Sequence, residues 1–138
     1  MVIVKDKVRF VETDLMGVVH HANYFHWFEM GRVEYLRNAG ILLNDLLAHD
    51  IVFPITDVHC KYRASARFDD IILIRATLKT VSKVKMVFTY EVLKEAGQIL
   101  LATGETTNAF TNGQGKIVRL PDCYYQPIVD SLADSSLV

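Results

Sequence analysis

The sequence predicts an α+β fold in which one antiparallel sheet of five or six strands curls around one long helix. Three observations carry this expectation. A single stretch, Ala22 to Ala39, has extended helical periodicity; several later stretches alternate apolar and polar residues with a period of two; and short turn sequences join them. A strand, then a helix, then a meander of strands folds most economically as one sheet with one helix packed on it.

The elements follow in order. Val2 to Val11 reads as the first strand. The helix ANYFHWFEMGRVEYLRNA stops at Gly40, a residue suited to a helix C-terminus. At the usual rise it is ~27 Å long. On a helical wheel Tyr24, Phe28, Gly31, Tyr35 and Ala39 share one face, which Phe25 and Leu36 widen on one side and Trp27 on the other. Leu42 to His49 reads as a short second helix before Phe53-Pro54. Val58, Cys60, Tyr62, Ala64 and Ala66 then alternate with polar neighbours, as in a half-buried strand. Ile72 to Leu78, Met86 to Val92 and Ile99 to Thr111 supply further strands, and Lys116 to Leu120 a short last one. Ser82–Lys85, Glu95–Gln98 and Asn112–Gly115 read as the turns between them. A lone sheet of this kind exposes a face and two edges, so a homodimer or homotetramer is expected.

The 138 residues suit one domain, residues 1–138. The 15 basic and 16 acidic residues leave a net charge of -1, which gives no electrostatic footprint for nucleic acid. Cys60 and Cys123 match neither a metal spacing nor a disulfide framework and read as free thiols in a reducing compartment. No apolar run approaches a membrane span, and the charged start Met1-Val-Ile-Val-Lys-Asp-Lys is unlike a signal peptide. A cytoplasmic protein is expected.

Chemistry concentrates between the first strand and the long helix, in Glu12-Thr-Asp-Leu-Met-Gly-Val-Val-His-His-Ala-Asn-Tyr24. A helix N-terminus offers unpaired N–H groups and partial positive charge, and so can stabilise an oxyanion. Asp14 precedes it by a short loop in which Gly17 permits a tight path. A carboxylate there can attack a carbonyl or activate water, although an Asp before a helix is more often a cap.

The stretch VETDLMGVVHHANYFHWFEMGR, Val11 to Arg32, resembles the signature of the 4-hydroxybenzoyl-CoA thioesterase family of hotdog-fold hydrolases. It shares an Asp, a Gly three residues later, two apolar residues, His before Asn-Tyr, and Phe-Glu and Arg on the helix. In Met16–His21 and Trp27–Glu29 it is most similar to the subgroup that hydrolyses 1,4-dihydroxy-2-naphthoyl-CoA in phylloquinone or menaquinone biosynthesis. The resemblance implies a catalytic carboxylate at Asp14, an oxyanion donor in the backbone N–H of His21, and no cofactor besides the coenzyme A of the substrate. It also implies a variable tail over 121–138.

Met16, Gly17, Trp27 and Phe53 are expected to line the acyl site; the phosphates of coenzyme A need cations at its mouth, for which Lys83 and Lys85 at a hairpin tip come first and Arg63 and Arg67 lie near a strand end. His20, His21 and His26 lack the spacing of a helical metal pair, so no metal is expected. Glu29 and Arg32 read as an intrahelical ion pair. An aliphatic acyl-CoA or acyl-carrier-protein thioesterase is the alternative enzyme. A non-catalytic acyl-CoA-binding module is the alternative of another class, and Asp14 argues against it.

Overall fold

The computed structural model describes residues 1–136. Among them, five strands form one antiparallel sheet: β1 (Val2–Lys7), β2 (Ile55–Tyr62), β3 (Ile71–Val81), β4 (Lys85–Lys94) and β5 (Ile99–Ala109), in the order β1-β3-β4-β5-β2. The helices are α1 (Asn23–Asn38), α2 (Leu43–Ala48) and α3 (Asp122–Ser136). The three expected turns are all in place. In the β3–β4 turn the Ser82 hydroxyl accepts the N–H groups of Val84 and Lys85 at 3.3 and 3.2 Å.

Alternation on β3 and β4 turns Ile72, Ile74, Ala76 and Leu78, with Met86, Phe88, Tyr90 and Val92, to one buried face. The long helix α1 lies on this face through Tyr24, Trp27, Phe28, Gly31, Tyr35 and Leu36. Each large apolar side chain buried there contributes ~1.5–3 kcal/mol. Phe28 stacks on Tyr90 at 4.4 Å between centroids and lies over Gly104 of β5, where a Cβ would collide with its ring. The sheet thus leaves one slot on β5 that only glycine keeps open for the helix.

Three expectations are corrected. The first strand ends at Lys7 rather than Val11, because Phe10–Glu12 turns as a 3-10 helix in which the Glu12 carboxylate accepts the Arg9 N–H at 2.7 Å. The strand read over 58–66 ends at Tyr62 and is exposed along nearly its whole length, not half-buried. It is an edge strand, and α1 covers β3 and β4 rather than β2. Lys116–Leu120 is no strand: it makes a single bridge, Thr111 to Ile117, and then hydrogen-bonds to Phe110 and Lys83. Within the segment 121–138, expected to be variable and described as far as residue 136, Asp122–Ser136 form α3, docked by the buried Ile128 and by a 2.9 Å hydrogen bond between the Tyr35 hydroxyl and Ser131 Oγ.

Candidate active site

The loop joining β1 to α1 is folded back on itself. Thr13 pairs with Val19, and Val18 pairs with Arg67 across the chain. At the tip the Asp14 N–H bonds to Val18 C=O at 2.9 Å and the Gly17 N–H to Asp14 C=O at 3.0 Å. Gly17 sits at φ +78°, a backbone region in which a side chain is strained, so the tight path expected at this glycine is realised. Oδ1 of Asp14 accepts the Met16 N–H at 2.8 Å, which fixes the carboxylate. The other oxygen, Oδ2, has no hydrogen-bond partner among the described residues and is free to react.

The loop is then tied to the rest of the chain. The Val19 N–H bonds to Ala66 C=O at 2.8 Å and the His20 N–H to Glu12 C=O at 2.9 Å. The Asn23 side chain also donates to Glu12 C=O, at 2.9 Å. Nδ1 of His20 accepts the Ala22 N–H at 3.2 Å, and the N–H groups of Asn23 and Tyr24 bond back to the carbonyls of His20 and His21. Between these satisfied neighbours, the His21 N–H has no acceptor among the described residues. It lies at the positive end of α1, the arrangement that attracts a developing negative charge.

Tyr62, at the end of β2, completes this junction. Its hydroxyl donates to His21 C=O at 3.0 Å, and its ring meets Tyr24 edge-on at 5.1 Å. Partial burial, with the Cys60 thiol beside it, pushes the Tyr62 pKa up, so the phenol remains a donor at neutral pH. Burial likewise pushes Tyr24 up to about 12. The His21 imidazole is exposed and stacks on His20 at 4.2 Å between centroids.

Of the residues expected to line the site, Met16 and Gly17 are on the Asp14 turn, and Met16 is open to solvent. Trp27 is not available: it is 0% exposed and packs edge-on against Tyr24 at 4.7 Å, because the Trp27 side of the apolar arc is covered, whereas Phe25 on its other side is exposed. Phe53 packs instead among Leu36, Leu46, Phe110 and Ile128, on the far side of α1's C-terminal half. Lys83 holds α3, through Asp122 at 2.7 Å and over the Tyr125 ring at 5.6 Å. Lys85 follows it on the same hairpin, away from the Asp14 loop. Arg32 does not pair with Glu29: it is buried, and its Nη1 donates to the Tyr90 hydroxyl at 3.2 Å.

Other residues lie beside the turn. The Arg67 guanidinium lies against the Asp14 turn, with Nη1 3.8 Å from where a Cβ on Gly17 would stand. Phe10 and Phe68 meet edge-to-face at 5.8 Å and are both exposed, at 76% and 51%. Phe10 is joined to the turn by its carbonyl, which accepts the Thr13 N–H at 3.0 Å, and Phe68 follows Arg67. Their positions near Asp14 depend on the pairing of residues 18 and 67, which no local pattern reveals.

Residues 8–128 match the thioesterase-like superfamily. The chain belongs to that superfamily. It has the hotdog fold, and it is a thioester hydrolase. The protein TT1821 of Thermus thermophilus is 34% identical, with a TM-score of 0.87 over 93% of this chain and 97% of that one. A DHNA-CoA thioesterase from Staphylococcus aureus is 28% identical, with a TM-score of 0.87 over 98% of this thioesterase and 90% of its own chain. The acyl-CoA thioester hydrolase YbgC of Escherichia coli is 30% identical over 94 residues, 68% of this chain and 70% of that protein.

Proposed function

We propose that this thioesterase hydrolyses an aromatic acyl-CoA, with 1,4-dihydroxy-2-naphthoyl-CoA of phylloquinone or menaquinone biosynthesis as its substrate, and that it works as a homodimer or higher homo-oligomer without metal or redox cofactor. The observation that carries the reading is the pairing of a half-free carboxylate at Asp14 with the unpartnered His21 N–H at the start of α1. The thioester carbonyl would direct its oxygen to the His21 N–H, where the charge of the tetrahedral intermediate is stabilised. Oδ2 of Asp14 would attack the carbonyl carbon or take a proton from the attacking water, and coenzyme A would leave as the thiol.

The acyl assignment draws on two supports. The S. aureus relative is named for the DHNA-CoA thioester. The surface around the turn also offers Met16 and the Phe10–Phe68 pair, flat or adaptable apolar groups suited to a fused ring. Ring–ring contacts add ~0.5–1.5 kcal/mol beyond area burial. Arg67, beside the turn, supplies the cation that a phosphate-bearing substrate calls for.

Released thiol, measured across a panel of acyl-CoA substrates, tests this. We expect kcat/KM for 1,4-dihydroxy-2-naphthoyl-CoA to exceed that for benzoyl-CoA and for palmitoyl-CoA. Equal or better efficiency on palmitoyl-CoA would overturn the aromatic assignment in favour of an aliphatic thioesterase.

Tyr62 gives a second, smaller expectation. Tyr62→Phe removes the hydrogen bond that holds the His21 carbonyl, worth ~0.5–1.5 kcal/mol. A fall in kcat of ~2–10-fold with KM nearly unchanged is expected by steady-state kinetics. A change confined to KM would place Tyr62 in substrate binding instead.

A further inference from the structure

A groove of about 300 Å³ opens between α1 and β2. Phe25, Glu29 and Arg32 of α1 line it on one stripe of the helix, which begins one turn past His21. Ile55 and Val58 of β2 form the facing wall. The same strand ends at Tyr62, whose hydroxyl holds the His21 carbonyl. The groove and the His21 N–H therefore lie along the same flank of α1.

The floor of the groove is polar and short of acceptors. Arg32 is 6% exposed and Thr106 2%. Nη1 of Arg32 donates to the Tyr90 hydroxyl at 3.2 Å, and that hydroxyl lies 2.7 Å from Thr106 Oγ1. Because the Tyr90 oxygen accepts from Arg32, its own proton goes to Thr106 Oγ1, which leaves the Thr106 hydroxyl hydrogen to point elsewhere. The Nε–H of Arg32 is buried with no acceptor, and no carboxylate lies within ion-pair distance of the guanidinium, among the described residues. A guanidinium stays charged at physiological pH, and burying it with a donor unmet is unfavourable. Two donors, one of them charged, thus wait on an oxygen acceptor.

The walls say what carries that oxygen. Phe25, Ile55 and Val58 are apolar and suit the face of a ring. Glu29 is the one carboxylate lining the groove and stands exposed at its rim, where its charge disfavours a carboxylate ligand over a neutral ring with a phenolic oxygen. Arg32 is roughly 16 Å beyond His21 along the helix axis, and a helical side chain leans back toward the N-terminus. A fused ring whose thioester oxygen meets the His21 N–H extends in this direction toward the guanidinium.

We propose that the acyl ring enters the groove between α1 and β2, and that Arg32, with Thr106, is a specificity-determining residue that donates to a phenolic oxygen on the ring. The inference rests on the aromatic acyl-CoA reading and adds the group that recognises the ring hydroxyl.

The test compares kcat/KM for 1,4-dihydroxy-2-naphthoyl-CoA and 2-naphthoyl-CoA, which share ring and thioester. The wild-type protein should favour the hydroxylated substrate by at least ~100-fold, since a site built to pair an oxygen rejects the analogue without it. Arg32→Met keeps an unbranched apolar stem and removes the donors. It should bring the ratio to within ~3-fold of one, mainly by loss on the hydroxylated substrate. Differences in intrinsic reactivity between the two thioesters cancel in the change of ratio from wild type to variant. Thr106→Val, close to isosteric, should lower the ratio ~3–10-fold with 2-naphthoyl-CoA little affected. Circular dichroism checks folding. A structural role for Arg32 would lower both substrates by the same factor; that result, or an unchanged ratio, in folded Arg32→Met would overturn the proposal, and an unchanged ratio in Thr106→Val decides the same way if Arg32→Met does not fold. Palmitoyl-CoA, run alongside, separates the two readings. If it is preferred to both naphthoyl thioesters, the aromatic reading falls and takes this inference with it. If the naphthoyl pair is hydrolysed equally well and faster than palmitoyl-CoA, only the role of Arg32 falls.

Discussion

Asp14→Asn is expected to lower kcat on the best acyl-CoA substrate by ~10²–10⁴-fold while leaving the fold unchanged. The amide has the size of the carboxylate and an oxygen that can still accept the Met16 N–H, so the turn closed by Gly17 keeps its shape. The substitution removes the negative charge that either a nucleophile or a base needs. Substrate binding depends on surfaces around the turn rather than on that charge, so KM should change little and the loss should fall on kcat. Steady-state thiol release, with circular dichroism as the control for folding, measures both. Turnover near the wild-type rate in a folded Asp14→Asn protein would remove Asp14 from the chemistry.

The second large effect is on stability. Phe28→Ala should destabilise the protein by ~3–5 kcal/mol. Phe28 is fully buried, stacks on Tyr90 and fills the space above Gly104, so truncation opens a cavity at the centre of the helix–sheet contact. Neighbouring atoms can collapse into it only by moving α1 as a whole, because Trp27 and Tyr24 pin the helix nearby. Urea unfolding, read by a shift in midpoint at constant slope, gives the value. A loss below ~1 kcal/mol would mean that α1 is held mainly by its other contacts.

Much of the fold and the Asp14 turn could be read locally. The period of 3.6 over Ala22–Ala39, the period of two on β3 and β4, and the turn residues are properties of short segments, and the structure places them where those periods require. The turn at Asp14 and Gly17 is likewise local, because a positive φ at a glycine and a carboxylate bonded two residues on involve neighbours alone. What escaped was decided by partners distant in sequence. Trp27 and Phe25 flank the same helical face, but only the sheet beneath settles that Trp27 is covered and Phe25 is not. An alternating strand such as β2 reads as half-buried whether it is central or at an edge. Lys83 looked like a free cation at a hairpin tip because α3, which supplies Asp122 and Tyr125, was not expected to dock there. Arg67 comes to Gly17 across a pairing of residues 18 and 67, and the adjacent Phe68 brings Phe10 its edge-to-face partner.

Hydrolysis of a thioester at Asp14 is tested most directly by one turnover in heavy-oxygen water, with enzyme in excess over 1,4-dihydroxy-2-naphthoyl-CoA. Mass spectrometry then weighs the free acid, coenzyme A and the peptide that contains Asp14. The predicted result is acid and coenzyme A in equal amounts, with one solvent oxygen either in the acid's carboxyl, as water attack requires, or in the Asp14 carboxylate, as hydrolysis of an acyl-aspartyl anhydride on its enzyme side requires. Asp14→Asn should release neither product on the same timescale. Intact thioester in the wild-type reaction, or the same labelled acid formed at the same rate by Asp14→Asn, would contradict it.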